Sequence, residues 1–165
     1  LQKIIKVVDP RPGEIMFGLN MVVNKGRTVF IGDTSVHEYP SSKQLAEIAI
    51  SSARVVRLFG FTPKIAFLSH STFGQPMTSR TKHIRDAVEI LKKMKVDFKF
   101  DGDMQPDVAL NDEYKELYPL SDIVGNANVL IMPGQHSAAI SYKIMKSMSS
   151  AKVIGPLLIL SLIHI

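Results

Sequence analysis

From Arg27 onward the chain alternates short apolar runs with amphipathic stretches, and no other feature restricts the fold as much. Apolar runs at 28–31, 65–68, 98–100, 129–132 and 153–159 have strand length, and between them lie helical patterns over 42–59, 79–94, 107–117 and 137–148. In the first helix Leu45, Ile48, Ala49, Ser52, Val55, Val56 and Phe59 recur at three- and four-residue steps, forming one stripe. Ser41 and Gln44 fit a capping box behind Pro40, and Gly60 supplies the stop. Strands that are apolar without alternation suit a parallel sheet, because such strands are buried on both faces. The expectation is an α/β lobe with a mostly parallel sheet, helices on both faces and right-handed crossovers.

The opening residues have a different character. Leu1 to Val8 is a lysine-bearing β-like run that lacks the pattern of a signal peptide, and Asp9-Pro10-Arg11-Pro12-Gly13 is a turn cluster. A short run at 21–23 is joined to the 28–31 strand through Asn24-Lys25-Gly26, a hairpin-like turn. Since the chain begins inside what reads as structure, it is expected to be a piece of a longer protein.

Composition removes several function classes. The chain has no cysteine, which excludes disulfides and thiolate metal sites and fits a reducing cytoplasm. The net charge of +5 raises the question of nucleic acid. Its lysines are scattered over helix ends, however, with no interleaved aromatics and no helix-turn-helix or RNA-binding signature, so no nucleic-acid partner is expected. The longest apolar stretch, 153–165, is too short to span a bilayer and reads as a buried strand, so no membrane partner is expected either.

Chemistry in an open α/β sheet gathers outside the carboxyl ends of the strands. The segments there are Gly32-Asp33-Thr34, Ser69 to Gly74, Asp101 to Gln105, Pro133 to Ser137 and Gly155-Pro156. Ser69, His70, Ser71, Thr72, Phe73 and Gly74 precede a helix whose N-terminus suits a phosphate, although the hydroxyls could equally cap turns. Asp101 and Asp103 flank Gly102 and could act as acid and base, hold Mg²⁺, or only shape an Asx turn. His70 and His136 end two different strands, but no spacing supplies further ligands, so no metal site is expected. No nucleophile elbow, P-loop or dinucleotide fingerprint is present.

The order of motifs adds a resemblance. Phe30-Ile31-Gly32-Asp33-Thr34, Leu45-Ala46-Glu47-Ile48-Ala49, Ser69 to Gly74, Asp101 to Gln105, Ala127 to Pro133 and Gly155-Pro156-Leu157-Leu158 resemble the second lobe of phosphate acetyl- and butyryltransferases. Ser69-His70-Ser71, Phe73-Gly74, Val36-His37-Glu38 and Met132 to Ser137 are similar to the form fused to the end of bacterial malic enzymes.

That resemblance implies a fold of the isocitrate/isopropylmalate dehydrogenase-like kind. Residues 1–26 would be a remnant of the first lobe and its connection, 27–159 the second lobe, and 160–165 an atypical tail outside any functional argument. It implies a lobe without catalytic residues or a cofactor of its own, since the transferases' Ser-Arg pair lies further on. Acetyl-CoA or a related acyl-CoA would be the effector, held by Ser69 to Gly74, Asp101, Asp103, Gln135 and Ser137. NADP and a divalent metal would belong to separate malic-enzyme domains, and the assembly would be a homo-oligomer. The alternatives are an active phosphate acetyltransferase and an oligomerisation module with a vestigial cleft.

Overall fold

The computed structural model describes residues 15–160. The expected Leu1–Val8 run, the Asp9–Gly13 turn cluster and the tail beyond Leu160 lie outside them. Among the described residues six strands form one mixed sheet: β1 (Met16–Asn24), β2 (Arg27–Gly32), β3 (Lys64–Leu68), β4 (Lys99–Met104), β5 (Val129–Ile131) and β6 (Lys152–Leu160). Their spatial order is β4-β3-β5-β2-β1-β6, with β2, β5, β3 and β4 mutually parallel. Strand β1 runs antiparallel to both β2 and β6. The helices are α1 (Ser42–Leu58), α2 (Ser79–Met94), α3 (Pro106–Leu110) and α4 (Gln135–Met148). Among the described residues no helix is long and apolar enough to cross a membrane.

The two-residue period of the strands divides the core in two. Ile65 and Phe67 of β3 face α1 and α2, joining Phe30, Leu45, Ile48, Ala49, Val88 and Leu91. Ala66 and Leu68 face the other way, onto Val108, Ala109, Ile123 and Ala138. Helices therefore cover both faces, and the parallel strands aim their carboxyl ends at one edge.

Three local expectations change. The helix expected over 107–117 stops at Leu110, because the Asn111 side chain accepts from the Glu113 N–H and starts a separate 3₁₀ turn, Asp112–Lys115. The strand expected at 98–100 continues to Met104, so Asp101 and Asp103 lie within β4 rather than in the loop after it. The last strand is not buried. Among the described residues it is a sheet edge paired only with β1, and Ile154, Leu158 and Leu160 are exposed. Gly155-Pro156 consequently sits inside β6, opposite a register shift in β1, and not in a loop.

Candidate functional site

Asp33 begins the loop that links β2 to α1, and it is 2% exposed. Its carboxylate accepts from the backbone N–H groups of Gly18 (2.8 Å), Ser35 (3.0 Å), Val36 (3.1 Å) and His37 (2.8 Å). His37 Nδ1 lies 2.6 Å from the same carboxylate. Burial raises the carboxyl's pKa, but the bonds from His37, Gly18 and Ser35 outweigh it and hold Asp33 below the usual carboxylate range. One side chain thereby fixes the path of residues 33–37 and delivers Glu38 to Ser41 to the edge of the sheet.

There a cleft of about 680 Å³ opens, lined among others by Pro40, Ser41, Arg80, His83, Pro133 and His136. Three helices begin at its walls. The α1 terminus is closed by the Ser41–Gln44 capping box, and the α2 terminus by a reciprocal pair between Thr78 and Thr81. At α4 the cap residue is Gly134, which provides no side-chain acceptor. Helix N-termini carry partial positive charge, and Arg80 adds a full one, with Glu38 the opposing group. His83 ties the walls together. Its Nε2 donates to the Pro40 carbonyl (2.7 Å), and its Nδ1 lies 2.9 Å from Ser42 Oγ. The same hydroxyl lies 2.9 Å from the His83 carbonyl, so Ser42 is a strut between α1 and α2. This arrangement suits the holding of an anion.

The loop after β3 is organised around a second carboxylate. Asp103 is fully buried, accepts from Ser71 Oγ and from the Gly74 N–H (3.1 Å), and lies 4.0 Å from Arg85 Nε. Ser69 Oγ is 3.2 Å from Ser71 Oγ, and Thr72 Oγ1 accepts from the Gln105 N–H at 3.2 Å. Phe73 donates its N–H to the Asp103 carbonyl (2.7 Å). Gly102 has φ +150°, and a Cβ there would stand 2.7 Å from the Phe67 carbonyl oxygen, so glycine is required where β4 pairs with β3 opposite Phe67.

The family model for "Phosphate acetyl/butaryl transferase" matches residues 1–160. The chain belongs to that family. It is 43% identical over 159 residues to an NADP-dependent malic enzyme of Rhizobium meliloti, covering 96% of this chain and 21% of the relative. It is 39% identical over 163 residues to a phosphate acetyltransferase of Clostridium acetobutylicum, covering 93% of this chain and 49% of the relative. A phosphotransacetylase structure from Streptococcus pyogenes superposes with a TM-score of 0.88 at 29% identity, over 95% of this chain and 49% of that one. The chain thus spans about a fifth of the malic enzyme and half of the transferase it matches.

In this member of the family the expected site residues fall into separate groups. Ser69, Ser71, Thr72, Phe73, Gly74 and Asp103 come together, with the Ser71 hydroxyl turned inward. Asp101 accepts from the adjacent Gly102 N–H (2.9 Å), and His70 is exposed. Gln135 and Ser137 lie across the sheet at the start of α4, where Gln135 N–H donates to the His37 carbonyl (3.0 Å) and Ser137 Oγ to the Gly134 carbonyl (2.8 Å). Only Ser137 of the expected set lines the large cleft. Sequence reasoning passed over Arg80, His83 and the Asp33–His37 pair. The i,i+4 spacing of Asp33 and His37 after a strand, and the cations in the first turns of α2, were the available signals. Among the described residues no cluster of three or more His, Asp or Glu is arranged to hold a metal ion.

Proposed function

We propose that this lobe is the acyl-CoA-binding regulatory and assembly domain of a malic enzyme whose other domains carry out NADP-linked oxidative decarboxylation of malate to pyruvate. The observation that carries the reading is the cleft where α1, α2 and α4 begin, with Arg80 and His83 in its wall. An acyl-CoA presents several phosphate charges, and helix N-termini with an adjacent guanidinium are matched to them. Ser71 and Asp103, the hydroxyl–carboxylate pair nearest to a catalytic couple, are buried and given over to each other, which favours binding over bond making. The similarity to the malic enzyme of Rhizobium meliloti supports the proposed parent activity. The assembly role draws on Ile140, Ile144 and Met148, an exposed stripe at four-residue spacing on α4.

Occupancy of the cleft would bias the oligomer between states, with a coupling of about 1–3 kcal/mol. The test is NADP-linked malate decarboxylation by the full-length protein during a titration with acetyl-CoA. A saturable fall in rate is expected. A rate indifferent to acetyl-CoA, with acetyl phosphate formed from acetyl-CoA and phosphate, would replace this reading with the transferase reading that the Clostridium acetobutylicum relative favours.

A further inference from the structure

On the sheet face away from α1 and α2, a second cavity of about 430 Å³ opens between the β3 loop, the end of β4, α3 and the 3₁₀ turn. Its size falls within the range of small-molecule sites. Phe73 and Tyr118 form one corner, with ring centroids 5.4 Å apart and planes tilted by 57°, and Tyr114 continues the aromatic wall. Phe73 is held at φ +48°, an uncommon conformation for a bulky residue, and conformations of this kind concentrate at functional positions. Two successive N–H groups, those of Phe73 and Gly74, are anchored on Asp103, and this anchor keeps the ring at the cavity.

Polar groups are distributed among the rings. Tyr114 Oη donates to Asp107 Oδ2 (3.1 Å), which leaves the other carboxylate oxygen as an acceptor. Gln75, which is exposed, and Gln105, which is partly buried, line the same cavity. A glutamine amide pairs in bidentate fashion with the amino group and ring nitrogen of adenine, and aromatic side chains stack on bases of any sequence. We propose that this cavity is a binding site for an adenine ring, which packs against the aromatic corner formed by Phe73 and Tyr118. Gln75 or Gln105 reads its edge, and Asp107 accepts from the exocyclic amino group. The site is separate from the Arg80 cleft and does not rest on the acyl-CoA reading.

The probe is adenosine, which carries no phosphate for the cleft to capture. Ligand-observed saturation-transfer NMR on the full-length protein compares it with inosine, which has an acceptor in place of the amino group. Only the transfer that Tyr118→Ala removes is assigned to this cavity, since an NADP site elsewhere in the protein would also take adenosine. Saturable transfer strongest at the base protons is expected, with inosine about tenfold weaker and Tyr118→Ala costing adenosine about tenfold. Asp107→Asn is expected to narrow the gap between adenosine and inosine, an effect that loss of structure would not produce. Absence of saturable transfer, equal binding of the two nucleosides by the unaltered protein, or unchanged binding in Tyr118→Ala would overturn the proposal.

Discussion

Asp33 and Asp103 occupy comparable places in the fold: each follows a glycine at the carboxyl end of a parallel strand, and each is nearly or wholly buried. Their surroundings differ. Asp33 gathers four backbone N–H groups and an imidazole, so its charge is offset by a local shell drawn from β1 and its own loop. Asp103 relies on one hydroxyl and one N–H from the neighbouring β3 loop, with Arg85 at 4.0 Å. The first carboxylate shapes its own loop beside the anion-friendly cleft and ties it to β1, whereas the second fastens the β3 loop to β4 and frames the aromatic cavity. Burying a carboxylate is tolerable in either design, but each design fails differently when its acceptor is removed.

The largest effect is expected for Asp103→Ala. It strands the Gly74 N–H in the interior and leaves the Ser71 hydroxyl only its weaker contact with Ser69, at a cost of about 3 kcal/mol, measurable by urea denaturation. A cost below about 1 kcal/mol would show that water or Arg85 substitutes for the carboxylate. Asp33→Asn keeps the shape and loses the charge, and is expected to cost about 2 kcal/mol near neutral pH. Because the folded pKa of Asp33 lies below its unfolded value of about 3.9, its contribution is complete above that value and disappears as pH falls through the folded one. The difference between the native protein and Asp33→Asn should therefore shrink only in acid, and a difference independent of pH would contradict the account of Asp33. The smallest effect is Ser41→Ala, about 1 kcal/mol from loss of the α1 cap, which sits at the end of the segment that Asp33 positions.

Much of the fold was legible because its signals are local. The Ser41–Gln44 box and the stripe through Leu45, Ile48 and Ala49 fixed α1 and its direction, and α2 follows the expected 79–94 span. What escaped depends on distant partners or on exposure. An apolar run such as 153–159 reads alike whether it ends up central or at an edge, and only the pairing of β6 with β1 decides the matter. Asp33 stood out in the sequence only as part of the Gly32-Asp33-Thr34 segment after a strand, because one of its donors, Gly18, lies fifteen positions earlier. Ser71 looked like a ligand group because its hydroxyl type is visible in sequence, while its inward orientation onto Asp103 depends on strand register. The break after Leu110 was hidden by helix-compatible residues on both sides of Asn111, whose side chain competes for the backbone.

The contrast between a charge-neutralised carboxylate loop and the positive cleft beside it rests on Arg80 meeting an anion. Isothermal calorimetry of acetyl-CoA binding to the full-length protein, alongside the Arg80→Ala variant, tests this most directly. Saturable binding by the unaltered protein, weakened about tenfold or more by Arg80→Ala as befits a charge-assisted hydrogen bond, is expected. Binding of equal strength in both proteins, or no binding in either, would contradict the assignment of the cleft.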